Sequence, residues 1–381
     1  MNLVRAPRER LLHAMVCPTA GGYSEDMRAT RPDSATGSER GELAIIRQIR
    51  ARAARSAANS IPLGIGDDCA LIRPRPNEEI AVTTDLSIAG RHFRLDWHPP
   101  QSIGHRALAR GLSDLAAMGA RPVAAFLSLG LPRELATLSG PFKARGKKEL
   151  QLNTWTDAFL DGFFALAAAH KTPLAGGDLA ESPVALADIV LIGAVLRAKA
   201  LLRSGARPGH LLYVTGALGG AAAGLARLAE LAAAHPNSSN PPPIPKSLAA
   251  QLAPHLYPQP RIAQGLYLQR RSLASAALDI SDGLSTDLAH LCDESSVAAE
   301  VDAALLPMSP GATLAQALHG GEDYELIFTA PANARIPKSI AGVPITQIGR
   351  IVSPRSNRPP VTLLTTHGRQ PLEPQGWEHF S

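Results

Sequence analysis

The chain of 381 residues is poor in cysteine and in aromatic side chains. Its three cysteines, Cys17, Cys69 and Cys292, are too scattered to form a zinc-binding motif or a disulfide framework. This pattern is typical of a protein from a reducing compartment, so we expect a cytoplasmic location. Aromatic residues make up only 4% of the sequence, and no lysine- and arginine-rich block is interleaved with them. We therefore expect no nucleic-acid partner, despite a formal net charge of +5.

Long hydrophobic runs are also missing from the sequence. No uninterrupted apolar segment approaches the roughly 20 residues that a membrane-spanning helix requires, so we expect no membrane partner. The basic start of the chain is not followed by the apolar segment of a signal peptide. We predict that residues 1–37 form a disordered N-terminal extension.

The common nucleotide-binding and nucleophile motifs are absent. The sequence contains neither G-x-x-x-x-G-K-[ST] nor G-x-G-x-x-G, and it has no G-x-S-x-G nucleophile motif. An enzyme that uses a nucleotide without these motifs must hold its phosphate groups through metal ions and backbone N–H groups. Two glycine pairs, Gly176-Gly177 and Gly219-Gly220, are candidates for the backbone contacts.

Strand-like and helix-like patterns alternate along the whole chain. Apolar periodicity predicts helices over residues 43–54, 101–118 and 154–170, with two more that begin near Gly219 and Gly283. It predicts strands over residues 69–72, 79–84, 123–131, 173–178, 184–194, 211–216 and 276–280. Residues 133–153 and 235–245 are predicted to be exposed insertions. A change of composition at residues 203–209 suggests two lobes of an α/β or α+β architecture.

Several aspartates stand at the predicted ends of strands or inside an apolar helix. These are Asp68, Asp85, Asp114, Asp178, Asp279 and Asp282. Carboxylates grouped beside glycines are the ligands that Mg²⁺ requires, and Thr83 and Thr84 could add further oxygen atoms.

Each of these aspartates also has a simpler interpretation. Asp282 could cap the following helix, and Asp178 could be only a turn residue. Asp114 could pair with Arg110, four residues earlier on the same helix. Asp67 is expected to bond the turn beside Asp68.

Eight motifs occur in order along the chain: GIGDDCALI, TTDLSIAGRHF, LSDLAAMGARP, AGGD, RSGARPGHLLYVTG, YPQPRIAQG, LDISDGLSTDL and GGEDYELIFT. Together they resemble the thiamine-monophosphate kinases, which belong to the superfamily of aminoimidazole ribonucleotide synthetase. The resemblance extends from about Gly41 to Phe380. It implies a two-lobed aminoimidazole ribonucleotide synthetase-like fold of the α/β (α+β) class. An N-terminal lobe (residues 38–197) would dimerise and hold ATP with several Mg²⁺ ions, and a C-terminal lobe (residues 198–381) would complete the cleft.

The resemblance also implies a reaction and a set of site residues. ATP would phosphorylate thiamine monophosphate directly, giving ADP and thiamine diphosphate. The implied metal ligands are Asp68, Thr83, Thr84, Asp85, Asp114, Asp178, Asp279 and Asp282, of which Asp114 and Asp282 are the expected catalytic residues. The implied nucleotide contacts are Gly177, Asp178, Arg203 and Ser281, and the implied substrate contacts are His92, Glu322 and Trp377. Another ATP-using enzyme of the superfamily, or a non-catalytic nucleotide-binding regulator, remains an alternative.

Overall fold

The computed structural model describes residues 42–56, 58–136, 154–236, 238–354 and 359–376. The predicted N-terminal extension, most of the insertion 133–153 and the predicted substrate contact Trp377 lie outside these described residues. None of the described helices combines the length and the apolar character that crossing a bilayer requires.

The described residues form helices and strands in alternation, as the sequence predicted. The helices are α1 Glu42–Ala53, α2 Pro100–Ala117, α3 Trp155–Ala169, α4 Gly220–Ala233, α5 Ala249–Leu256, α6 Ile262–Arg270, α7 Leu284–Ser295 and α8 Leu314–His319. The strands are β1 Glu78–Ile88, β2 Arg121–Leu131, β3 Leu174–Glu181, β4 Leu186–Leu196, β5 Leu211–Thr215, β6 Ala276–Asp279, β7 Ala298–Asp302, β8 Leu326–Ala330, β9 Ser339–Ile340, β10 Val343–Val352, β11 Val361–Thr365 and β12 Gly368–Pro371.

The first sheet has four strands in the order β1-β4-β2-β3. β4 pairs antiparallel with β1 and with β2, and β2 pairs parallel with β3. Alternate residues of β4, Ala187, Ile189 and Leu191, are buried against the helices, because successive side chains of a strand point to opposite faces. α2 packs against this face and α3 packs against α2.

Helix α2 is the central element that positions the site. It begins at a proline, and its C-cap residue is Met118, one position before the predicted Gly119, which adopts a left-handed φ of +62° just beyond the helix. Fourteen of its 18 residues are buried, since it packs against the first sheet, α3, α6 and β6. A polar side chain on such a helix needs a partner. Ser113 meets this need by donating a hydrogen bond of 2.6 Å from Oγ to Oδ2 of Asp279.

The second sheet has eight strands in the order β12-β11-β7-β10-β5-β8-β6, with β9 paired to β10. Its edge strand β6 ends at Asp279, and α7 begins five residues later at Leu284. The strands of the first sheet lie within residues 78–196 and those of the second within residues 211–371. Residues 38–381 nevertheless form one compact unit, so the predicted boundary between residues 197 and 198 stays a prediction.

Three local predictions are wrong. Residues 63–72 form a loop rather than a strand over 69–72, because Gly66 (φ +127°) turns the chain and the backbone N–H of Asp68 bonds Oδ1 of Asp67 at 2.9 Å. This bond is the turn contact expected of Asp67. β1 does not end at Asp85 but continues to Ile88, since β4 remains paired with it. Asp178 lies inside β3 rather than in a turn.

Candidate active site

A cavity of about 570 Å³ lies between the first sheet with α2 and the elements that follow residue 220. Its walls include α4, α5, the loop after β6 and the loop before β8. Seven of the residues predicted from the sequence line this cavity: Asp85, His92, Asp114, Asp279, Ser281, Asp282 and Glu322. Residues more than 200 positions apart in the chain therefore meet in one site.

One end of the cavity is acidic. Asp85 comes from β1, Asp114 from α2 and Asp279 from the end of β6. Burial, followed by the charge of Asp114, raises the pKa of Asp85 to about 6. The same two causes raise the pKa of Asp279 well above its ordinary value. The three carboxylates are thus close enough for each to make ionisation of its neighbours less favourable.

These carboxylates fit Mg²⁺ bound together with a phosphate ligand. Oδ2 of Asp85 is buried and has no hydrogen-bond partner among the described residues. The donors are oxygen atoms, which Mg²⁺ prefers, and that ion usually binds through one or two carboxylates, waters and substrate phosphates. Among the described residues, no three or more His, Cys, Asp or Glu side chains are arranged as a group that could hold a metal ion without such further ligands.

Asp114 is oriented by β1 rather than by its own helix. The hydroxyl group of Thr83 donates a hydrogen bond to Oδ2 of Asp114. Arg110 forms its ion pair with Asp85, with 3.4 Å between Nε and Oδ1, and its charge also lowers the pKa of Asp114, so the alternative interaction of Asp114 with Arg110 is electrostatic and not a direct ion pair. Burial raises the pKa of Asp114, whereas the hydrogen bond from Thr83 and the charge of Arg203 lower it. Arg203 therefore acts electrostatically on the acidic end.

The loop after β6 is held by a residue that sequence reasoning missed. Oδ2 of Asp287 accepts hydrogen bonds from the backbone N–H groups of Ser281, Asp282 and Gly283 at 3.0, 3.0 and 3.1 Å. The N-cap residue of α7 is Gly283, which has no side-chain cap, so Asp282 is not the capping residue. Burial and the charge of Asp282 raise the pKa of Asp287 to about 7. An acid in the first turn of a helix after D-G was the available sequence signal.

Glu322 and His92 also line the cavity, and each is held by a hydrogen bond. Nη2 of Arg106 donates to both carboxylate oxygens of Glu322 at 2.6 and 2.7 Å. Burial would raise the pKa of Glu322, but this ion pair brings it below its ordinary value. The backbone N–H of Ile88 donates to Nδ1 of His92 at 3.1 Å, so in the neutral ring Nε2 carries the proton. Arg106 was not predicted, because its partner lies 216 residues away.

Other predicted site residues do not line the cavity. Strand register places Thr84 and Asp178 on the face of the first sheet opposite to Thr83 and Asp85. The loop that carries Asp68 packs on that opposite face as well. The structure therefore divides the predicted metal ligands into two groups, and the roles of those three residues stay predictions.

Gly177 has a structural reason to be glycine. Its φ is +148°, and a Cβ atom there would lie 1.9 Å from the carbonyl oxygen of Leu127 on the neighbouring strand. The parallel pairing of β2 with β3 thus excludes a side chain at this position. A nucleotide contact at Gly177 stays a prediction.

The fold and the acidic cavity define a class of protein, the enzymes related to aminoimidazole ribonucleotide (AIR) synthase. Two family models match the chain: "AIR synthase related protein, N-terminal domain" over residues 66–196 and "AIR synthase related protein, C-terminal domain" over residues 207–359. The thiamine-monophosphate kinase of Escherichia coli K12 is 38% identical over 344 residues, which cover 86% of this chain and 94% of that protein. The chain belongs to the thiamine-monophosphate kinase family.

Solved structures support the same placement. The crystal structure of thiamine-monophosphate kinase from Stenotrophomonas maltophilia K279a aligns with a TM-score of 0.68 and 38% identity, covering 84% of this chain and 96% of that one. AaThiL complexed with AMPPCP and TMP aligns with a TM-score of 0.64 and 29% identity, covering 89% of this chain and 97% of that one. The predicted fold and family are confirmed.

Proposed function

We propose that this protein transfers the γ-phosphoryl group of ATP to the phosphate group of thiamine monophosphate, giving ADP and thiamine diphosphate. The observation that carries the proposal is that the carboxylates of Asp85, Asp114 and Asp279 and the side chains of His92 and Glu322 line one cavity. Membership of the thiamine-monophosphate kinase family supports the choice of substrates. The relative AaThiL, solved with AMPPCP and TMP, supports it further.

The acidic end would hold Mg²⁺ together with the phosphate groups of both substrates. Asp85, Asp114, Asp279 and Asp282 are the residues of the cavity suited to this role. Two unit charges about 4 Å apart repel by roughly 4 kcal/mol at an effective dielectric constant of 20, and each substrate carries more than one charge. Bound Mg²⁺ supplies the positive charge that offsets this repulsion and stabilises the transferring phosphoryl group.

The side chains of this protein would bind and align the two substrates. The acceptor oxygen of a phosphate monoester is already anionic near neutral pH, so the reaction needs no general base. Arg110 and Arg203 supply positive charge beside the acidic end, and His92, which lines the same cavity, would contact the acceptor substrate. Direct in-line transfer without a phosphorylated enzyme is the simplest mechanism that this arrangement supports.

We also propose that the protein is a cytoplasmic homodimer that uses the outer face of β1. Ile80, Val82 and Leu86 point to this face, and their side chains are 43%, 60% and 44% exposed. Exposed apolar residues along one strand face favour an interface. The proposed lobes, residues 38–197 and 198–381, would assign this interface to the first lobe.

The proposal is tested by incubating the purified protein with Mg²⁺, ATP and thiamine monophosphate and separating the products by chromatography. We expect ADP and thiamine diphosphate in equal amounts. Thiamine as the acceptor should give no thiamine diphosphate, because it has no phosphate group. Folded protein that forms neither product would refute the kinase activity. ADP formed without thiamine diphosphate would indicate another ATP-dependent reaction.

A further inference from the structure

A buried polar cluster of His98, Arg106, His255 and Glu322 borders the cavity. His98, His255 and Glu322 line the cavity, Arg106 is the ion-pair partner of Glu322, and the two histidines are each only 2% exposed. Nε2 of His98 is 2.9 Å from Nε2 of His255, and Nδ1 of His255 is 3.8 Å from Oε2 of Glu322. The two imidazole rings thus form a connected path that ends at a carboxylate already paired with Arg106.

The direction of hydrogen-bond donation along this path follows from its first member. The backbone N–H of Arg94 donates to Nδ1 of His98 at 3.1 Å, so the proton of the neutral His98 ring is on Nε2. That N–H donates to Nε2 of His255, which leaves the proton of His255 on Nδ1, the atom that faces Glu322.

The opposite order of donation is unfavourable. Nδ1 of His98 also lies 3.2 Å from the carbonyl oxygen of Arg94, to which a proton on that atom could be donated. His255 would then donate from Nε2, and the lone pair of its Nδ1 would face the negative carboxylate of Glu322. Only donation from His98 to His255 leaves an N–H group of His255 facing the negative charge of Glu322.

Both rings are neutral near pH 7. Burial, with the nearby charge of Arg106 as a second cause, lowers the pKa of His98 to about 4. The same two causes lower the pKa of His255 well below its ordinary value. Each neutral ring therefore carries one N–H proton, and the nitrogen that holds this proton defines its tautomer.

The last donor of the path is not satisfied. Nδ1 of His255 is buried and has no hydrogen-bond partner among the described residues, since 3.8 Å is too long for a hydrogen bond. The backbone of Glu322 is held in the left-handed region (φ +68°), and its N–H bonds the carbonyl oxygen of Ser281 at 2.8 Å. A shift of the carboxylate by about 1 Å, with no backbone movement, would complete the hydrogen bond.

We propose that His98 and His255 are positioning residues for the acceptor substrate. When that substrate binds, the N–H relay of the two histidines is completed by a hydrogen bond from His255 to Glu322. The relay fixes the carboxylate of Glu322 to accept a hydrogen bond from an organic cation that carries an amino group. Thiamine monophosphate has this chemistry, in its thiazolium ring and its aminopyrimidine ring. The inference rests on the proposed kinase function, and neither histidine acts on the reacting phosphate groups.

The test compares two substitutions of similar length at His98. In His98→Gln the side-chain amide retains a donor toward His255, whereas His98→Met removes it. We expect His98→Met to raise the KM for thiamine monophosphate about tenfold, with kcat and the KM for ATP within about twofold of the unsubstituted protein. His98→Gln should keep the KM for thiamine monophosphate within about threefold. Equal KM values for the two variants would overturn the proposal.

A control and a spectroscopic measurement complete the test. His105→Gln alters a different buried histidine, which lies on α2 and whose Nε2 bonds the carbonyl oxygen of Pro258 at 2.7 Å, and it should leave the KM for thiamine monophosphate unchanged. ¹⁵N NMR of histidine-labelled protein, with the His255 signal assigned by its loss in His255→Gln, reports the tautomer directly. We expect the Nδ1–H tautomer, and an Nε2–H tautomer would overturn the relay even if His98→Met fails to fold. Absence of thiamine monophosphate turnover in the unsubstituted protein would refute the proposed function, while the NMR result would still decide the relay.

Discussion

Replacement of Asp114 by asparagine should change activity and stability in opposite directions. Asparagine keeps the size of the side chain and an oxygen atom that can accept the hydrogen bond from Thr83. It removes one negative charge from the acidic end of the cavity. That charge is the second cause, after burial, of the raised pKa values of Asp85 and Asp279.

The magnitude follows from the pKa of Asp85. Its rise from 3.8 to about 6 corresponds to about 3 kcal/mol for keeping this carboxylate ionised in the metal-free protein, at about 1.4 kcal/mol per pKa unit. Burial is the larger cause, so we assign on the order of 1 kcal/mol to the charge of Asp114. Asp114→Asn should therefore raise the free energy of unfolding by about 1 kcal/mol at pH 8 without Mg²⁺. It should lower turnover by at least about a hundredfold, because losing a charged metal ligand removes several kcal/mol of transition-state stabilisation.

The sign of the pH dependence provides a second check. The pKa of Asp85 is higher in the folded state than in the unfolded state, so its contribution to stability is fully present below about pH 4 and is lost as the pH rises through about 6. Asp114→Asn lowers the folded-state pKa of Asp85 and so reduces the stability that is lost as the pH rises. The stability difference between the variant and the unsubstituted protein should therefore grow from pH 4 to pH 8.

The assay is urea unfolding followed by circular dichroism in EDTA at both pH values, together with steady-state kinetics in Mg²⁺. Asp293→Asn, which removes the charge of an exposed aspartate on α7, is the matched control and should change neither quantity. Near-normal turnover of Asp114→Asn would refute its role as a metal ligand. A lower stability at pH 8 would refute the electrostatic reasoning.

Three further outcomes are expected. Val82→Glu places a charge on the exposed face of β1 and should convert a dimer to a monomer in light scattering, whereas a dimer of unchanged stability would exclude this interface. Gly104→Ala should lower the free energy of unfolding by about 2 kcal/mol, because its Cβ would lie 1.9 Å from the carbonyl oxygen of Phe159 on α3. The control Gly64→Ala meets nothing closer than 3.7 Å, and an equal loss in both variants would contradict the steric argument. Iodoacetamide should label exposed Cys69 in the folded protein but not buried Cys292, whose thiol pKa is raised to about 12 by burial, and mass spectrometry of the peptides would reveal any exception.

The pattern of elements was predictable because it depends on local spacing. The predicted helix 101–118 corresponds to α2, and the predicted strand 276–280 corresponds to β6, because apolar periodicity and turn residues act over a few positions. Prediction was wrong at residues 69–72, where a run of apolar residues packs as a loop. Ala70 and Ile72 are partly buried against a sheet face formed by residues distant in sequence, whereas Cys69 and Leu71 are exposed. An apolar run by itself does not distinguish these two arrangements.

The sequence by itself determined the types of residue available for the chemistry, and its motifs indicated the family. Only the tertiary structure decided which of these residues share one cavity. Asp85 and Thr84 point to opposite faces because they are neighbours in a strand, but the packing of α2 decides that the face of Asp85 borders the cavity. Packing of α2 against β6 brings Ser113 to Asp279, 166 residues away. Arg106, His255 and Asp287 carry no motif of their own, because their roles arise from burial beside distant partners, and local sequence spacing does not encode that burial.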